Sequence, residues 1–179
     1  MRELIIESFI LLIPLIFSGI LHMGVVTADL FKFLKVPIHK KLFGQNKTYR
    51  GFVVMPLLTI PGVYIASYFE HTLKLSLGFV DSNHIILGAL LGLFYCIFEL
   101  PNSLYKRRKG IAPGKMSKEN ALKHAVIDQA DSGFGLIIIY YILLDVSLMH
   151  LFLFLALGTI IHLILNYLLF FLGLRKEPF

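Results

Sequence analysis

Asp128 and Asp131 stand three residues apart in the segment D-Q-A-D-S-G. On a helix, positions i and i+3 share a face. His124 lies about one turn before them and Gly135 about one turn after, so the stripe is narrow, polar and small. Two carboxylates are hard oxygen donors of the kind that hold Mg²⁺ together with substrate phosphates. Cationic residues that could take the remaining phosphate charge stand in two other segments. F-G-Q-N-K-T-Y-R-G, from Phe43 to Gly51, brackets Lys47, Thr48 and Arg50 between glycines. It does not match the G-x-x-x-x-G-K-[ST] phosphate loop. L-P-N-S-L-Y-K-R-R-K-G-I-A-P-G, from Leu100 to Gly114, offers Asn102 and Ser103 and then the cations Lys106 to Lys109. Together they suit a metal-assisted phosphoryl or nucleotidyl transfer. Each feature also has a plainer reading. An aspartate pair can satisfy a helix interface or carry protons. Basic runs can serve topology or attract anionic head groups. His162 and Asn166, at i and i+4, can be an interhelical hydrogen-bonding pair. The single cysteine, Cys96, lies in an apolar run and reads as a packed thiol, which excludes a disulfide framework and a cysteine metal site.

The elements that must position these residues are membrane helices. Of the 179 residues, 57% are hydrophobic and 16% charged, against roughly 45–50% and 25% in soluble domains. Mean hydropathy is +0.78. These figures exclude a disordered or collagen-like chain and an ordinary soluble globule. A spanning helix needs about 20 mostly apolar residues. Five stretches qualify, at about 4–27, 51–69, 84–100, 121–144 and 148–172. The expected fold is an all-α integral membrane protein, one membrane-embedded catalytic domain over 1–179. Pro56 and Pro61 predict a kink or a break in the second span, and Pro101 an end or kink of the third. The first segment reads as a span rather than a cleaved leader.

Lysine and arginine set the orientation. Only Arg2 and Lys74 of the 17 fall away from two long loops, with their margins, and the C-terminal tail. The positive-inside rule then puts the loops at about 28–50 and 101–120, and the C-terminus, in the cytoplasm, with the N-terminus outside. At 1.5 Å per residue from Lys123, Asp128 lies about 7 Å and Asp131 about 12 Å deep. Asn166, measured from Gly173, lies about 10 Å deep. His22 and Glu99 sit near the same inner ends of their spans. Polar residues from four helices thus gather in the cytoplasmic half. Small residues Gly88, Ala89 and Gly92 on the third span permit close packing against a neighbour, in this chain or another.

These motifs, with H-L-I-L-N and G-L-R-K-E-P-F near the C-terminus, resemble the CDP-archaeol synthase family, related to phosphatidate cytidylyltransferases, over nearly the whole chain. The resemblance implies transfer of CMP from CTP to the phosphate of unsaturated archaetidic acid, releasing pyrophosphate, with Mg²⁺ required. It implies that Asp128 and Asp131 bind the metal and that Lys47, Thr48 and Arg50 contact phosphates. Lys47 and Arg50 join the aspartates as expected catalytic residues. Asn102, Ser103, Lys106 and Arg107 should build the nucleotide or phosphate pocket. His124, His162 and Asn166 are candidates for supporting it. The expected partners are CTP, a lipid phosphate and membrane lipids, with no nucleic acid, at a multi-pass site in the cell membrane facing the cytoplasm. One alternative is a cytidylyltransferase for diacyl phosphatidic acid. A CDP-alcohol phosphotransferase lacks support, since D-G-x-x-A-R is absent. A small cation-coupled transporter would need polar residues reaching the outer half of the bundle.

Overall fold

The computed structural model describes residues 2–113 and 121–171. Five long helices make the bundle: α1 (Arg2–Thr27), α3 (Tyr49–Leu73), α4 (His84–Arg108), α5 (Ala121–Leu143) and α6 (Leu148–Phe171). A 3-10 turn (Lys32–Leu34) and the one-turn α2 (Lys40–Phe43) lie between α1 and α3. Among the described residues there is no strand, only an isolated bridge between Pro37 and Thr48. Helices α1, α3, α4 and the Val126–Leu143 part of α5 are long and apolar enough to cross a membrane. The 26 residues of α1 reach about 39 Å at 1.5 Å each, beyond the roughly 30 Å of a hydrocarbon core. Helix α6 has 24 residues.

Of the kink, break or end expected at the prolines, the break and the end do not occur. Helix α3 runs unbroken through Pro56 and Pro61, and α4 runs through Pro101 to Arg108. An interior proline removes one backbone hydrogen bond, and packing against neighbouring helices makes that tolerable in a membrane span. The neighbours are visible. A Cβ on Gly92 would stand 2.5 Å from Pro56 Cα, and one on Gly88 2.6 Å from Ile60 Cα. A Cβ on Gly62 would stand 2.7 Å from Pro14 Cα. The small residues of α4 therefore receive α3 of the same chain. Without a hydrophobic drive between helices in lipid, such close fits supply much of the packing energy.

The tight core lies at one end of the bundle. Leu11, Val63, Leu87, Leu91, Tyr140 and Phe154 are buried there, one to two from each long helix. Tyr140 donates its hydroxyl to the Leu11 carbonyl at 2.7 Å, and its ring meets Phe79 and Phe154 edge to face. Polar groups occur at this end too, against the expectation that they gather only at the other. Glu70 is buried, and its carboxylate accepts backbone N–H groups of Leu77 (2.5 Å), Gly78 (2.7 Å) and Val80 (2.9 Å). His150 Nδ1 accepts the Ser147 N–H at 3.1 Å while Nε2 meets Glu7 at 2.8 Å. These groups cap a turn and pin α6 to α1. They do not continue a polar path from the opposite end.

Candidate functional site

The opposite end of the bundle carries the residues with chemistry. Helix α3 begins here because Thr48 takes an extended backbone and its predecessor Lys47 pairs backward, with Ile38 N–H donating to the Lys47 carbonyl at 2.9 Å. The Thr48 hydroxyl makes no cap hydrogen bond. The Tyr49 N–H donates to the Val36 carbonyl at 3.0 Å and the Gly51 N–H to the Thr48 carbonyl at 3.2 Å, so what favours anions here is the positive end of a 25-residue helix dipole beside Lys47 and the Thr48 hydroxyl. A pocket of about 390 Å³ lies at this point. Lys47, Thr48 and Arg50 line it, with His22, Tyr95 and Glu99 on the far walls.

Arg50 is buried and already engaged. Its Nη1 donates to Asp29 Oδ1 at 3.2 Å and to the Leu30 carbonyl at 3.1 Å. Lys35 donates to the same Asp29 oxygen at 3.1 Å. The Lys35 bond, with Arg50 and Lys32 adding to it, holds the Asp29 carboxyl below its usual pKa. Arg50 thereby shapes the pocket wall and fastens the chain that leaves α1. Lys47 is engaged too, donating to Glu99 Oε2 at 2.5 Å.

Glu99 leads to the second group. Because α4 continues through Pro101, Asn102 and Lys106 follow Glu99 at helical intervals of three and four and share its face. The expectation of a loop at these positions is corrected accordingly. Asn102 Nδ2 donates to Asp128 Oδ1 at 2.6 Å and to Asp131 Oδ2 at 2.9 Å. Lys106 Nζ donates to Asp128 Oδ2, and the Ser132 N–H bonds Asp131 Oδ1 at 2.6 Å. Helix α5 approaches closely enough for this because Gly135 meets α4 backbone: a Cβ there would lie 2.7 Å from the Phe94 carbonyl oxygen.

One amide therefore gathers an oxygen from each aspartate. A donor set converging on one point suits a hard cation as well as it suits an N–H₂ group. Among the described residues no cluster of three or more His, Cys, Asp or Glu side chains forms. Two carboxylates alone fit Mg²⁺ only if ligand oxygens complete the shell, the usual arrangement with phosphate substrates.

The remaining expected residues lie apart. Ser103 donates its hydroxyl to the Glu99 carbonyl at 2.9 Å, within its own helix. Arg107 lies against Gly44, where a Cβ would come within 3.7 Å of Arg107 Cδ and 3.0 Å of Pro113 Cγ. Gly44 has φ 90°, which excludes most other residues in any case. Arg107 Nε and Nη1 are buried without a hydrogen-bond partner, so this guanidinium retains unused donors. His162 is half-buried on α6, which packs on α5 and α1 but not on α4. The side chains of His124 and Asn166 lie outside the described residues.

Glu99, Asp29 and His22 join the site; the sequence places Glu99 and His22 in the same polar layer without giving them a role, and does not single out Asp29. The signal for Glu99 is the spacing E-x-x-N-x-x-x-K, legible only once the helix is carried past Pro101.

A family described as CarS-like, CDP-archaeol synthase, matches residues 1–179. A CDP-archaeol synthase of Pyrobaculum islandicum is 29% identical over 139 residues, covering 78% of this chain and 74% of that protein. No solved structure matches the chain. The chain belongs to the CDP-archaeol synthase family and is a CTP-dependent nucleotidyltransferase.

Proposed function

We propose that this enzyme transfers CMP from CTP to the phosphate of an isoprenoid ether lipid, unsaturated archaetidic acid, giving CDP-archaeol and pyrophosphate at the cytoplasmic face of the cell membrane. The observation that carries the reading is the α4 face Glu99–Asn102–Lys106. It joins the basic head of α3, through Lys47, to the aspartate pair of α5.

In this reading Lys47 and the Thr48 hydroxyl, at the positive end of the α3 dipole, hold phosphate oxygens of CTP. Arg107 adds positive charge behind the α2 side of the site. Asp128 and Asp131 would hold Mg²⁺, and the ion would supply neutralisation of phosphate charge. Lys106, bonded to Asp128, keeps its ammonium beside the aspartate pair, where a substrate phosphate would bind.

The reaction is a displacement at phosphorus. An oxygen of the lipid phosphate bonds to the α-phosphorus, and the bond to the bridging oxygen breaks. Pyrophosphate leaves with that electron pair. The lipid phosphate is ionised at neutral pH, so the step needs no strong base. Positioning and charge neutralisation do the work. The specificity for isoprenoid over acyl tails belongs to this proposal and is decided by the experiment.

The test is CDP-lipid formation by the purified protein in detergent with labelled CTP and Mg²⁺. Archaetidic-type and diacyl phosphatidic acids are supplied in parallel, with EDTA and Asp131→Asn as controls. The expected result is a labelled lipid from the archaetidic acceptor that vanishes in both controls. Preference for the diacyl acceptor overturns the assigned lipid. Full activity in EDTA or in Asp131→Asn overturns the metal site.

A further inference from the structure

The segment that leaves α1 is held in an uncommon shape. Asp29 (φ 47°) and Phe31 (φ 52°) both take left-handed backbone. For a bulky aromatic residue this is an outlier that persists only where its surroundings enforce it. Here they do. Arg50 grips the Asp29 carboxylate and the Leu30 carbonyl, and the Leu30 N–H reaches back to the Val25 carbonyl at 3.0 Å. The result of this turn is an exposed aromatic pair. Phe31 and Phe33 meet edge to face at 6.4 Å, and Phe33 is 76% exposed. Leu30 and Val36 are exposed beside them, as are Lys32, Lys40 and Lys41.

Those bonds hold the backbone, but two phenyl rings presented to bulk water would still carry a hydrophobic cost. The place of the segment gives a different surrounding. It starts three residues beyond Thr27, where a 26-residue apolar helix ends. That is the level at which hydrocarbon gives way to lipid head groups, where aromatic side chains are favoured. Lysines at the same level are attracted to anionic lipids. Asp29 is the sole acid between Thr27 and Gly51, and it is paired with Lys32, Lys35 and Arg50, which leaves Lys40 and Lys41 as the cations of the segment's flank without an acidic partner there.

We propose that residues 30–36 are an interfacial foot whose partner is the anionic head-group layer of the membrane. Phe31 and Phe33 insert among the head groups, and Lys40 and Lys41 face lipid phosphates. Val26, near the end of α1, and Lys35, within the foot, line the pocket. The foot therefore sets the height of the pocket relative to lipid phosphate groups. Only this last consequence rests on the pocket being the reaction site.

The chain has no tryptophan, so Phe33→Trp supplies a single fluorescent reporter in the full-length protein. It is reconstituted into vesicles of phosphatidylglycerol and phosphatidylcholine. The expected result is blue-shifted emission, quenched by lipids brominated near the head group and protected from aqueous acrylamide. Leu57→Trp, on the exposed middle of α3, serves as the deep reference, quenched by lipids brominated near the chain end. Val36→Trp is the second reporter on the foot if Phe33→Trp does not purify. Ready quenching of the Phe33→Trp emission by acrylamide with no effect of brominated lipid overturns the proposal, as does protection from both, which would mean that protein covers the rings. Quenching that is the same in pure phosphatidylcholine removes the lysines from the anchor. No catalytic activity is read, so failure here and failure of the proposed reaction are separate results.

Discussion

Lys47 has two partners to choose between. In the structure its ammonium is bonded to Glu99, and in the proposed reaction it binds phosphate. A hydrogen bond to a charged group is worth roughly 1.5–3 kcal/mol. Lys47→Ala is therefore expected to raise the CTP KM about 10-fold or more, measured by initial rates at saturating lipid. Ser103→Ala should change KM and kcat little, because that hydroxyl is committed to the Glu99 carbonyl. Equal effects of the two substitutions would return the Lys47 loop to a purely topological role. At this scale the sequence makes residue types legible but not partnerships. Asp128 and Asp131 are readable as a pair from their spacing alone. Their meeting with Asn102 and Lys106 depends on α4 and α5 crossing at Gly135, which is a fact of three dimensions. Arg50 is readable as a cation, yet its engagement with Asp29 joins positions 21 residues apart through a left-handed turn that no local pattern announces.

Helices are legible as apolar stretches, and their ends are not. Pro101 predicts a stop of the third stretch at Leu100. Helix α4 instead continues to Arg108, since losing one backbone bond is tolerable where a helix is packed on both sides. The continuation turns an expected loop into a rigid arm that carries Asn102 and Lys106. Close packing of α3 on α4 makes a second prediction. Gly92→Ala places a methyl group 2.5 Å from Pro56 backbone, and overpacking of this kind costs about 1–3 kcal/mol. Its thermal midpoint in detergent should fall. Gly24→Ala, with nothing within 4 Å of the added carbon, should hold or rise through better helix propensity. A third prediction concerns the turn after α3. Glu70→Ala leaves the three N–H groups of Leu77, Gly78 and Val80 without their acceptor. Unsatisfied buried donors cost about 1–3 kcal/mol each, so the midpoint should drop at least as far as for Gly92→Ala. An unchanged midpoint would mean that water replaces the carboxylate without loss.

Across the whole molecule, the two ends differ in kind. One holds the interlocked core around Tyr140 and the capped turn at Glu70. The other holds the pocket, the aspartate pair and most of the cations. The proposed orientation puts the second end in the cytoplasm, where CTP is. It can be measured because the native Cys96 is buried and should give little background. Lys41→Cys and Asp81→Cys stand at opposite ends of the bundle and are both exposed. A membrane-impermeant maleimide should label Asp81→Cys in intact cells and Lys41→Cys only after permeabilisation. The reverse pattern would invert the protein and strand the pocket away from its nucleotide.

The Glu70 turn also bears on how such a chain enters a membrane. Helices α3 and α4 fit through Gly88 and Gly92, and the tip between them is closed by the α3 carboxylate. The pair is complete as a hairpin. Its far tip, once folded, exposes neither the bare carboxylate nor the three loose amides. Biogenesis can then deliver both helices as one unit, with the acid already masked when the tip crosses the hydrocarbon. In a Glu70→Ala chain the tip loses that closure, and the defect should be visible as slower insertion during synthesis, before any catalytic step is reached.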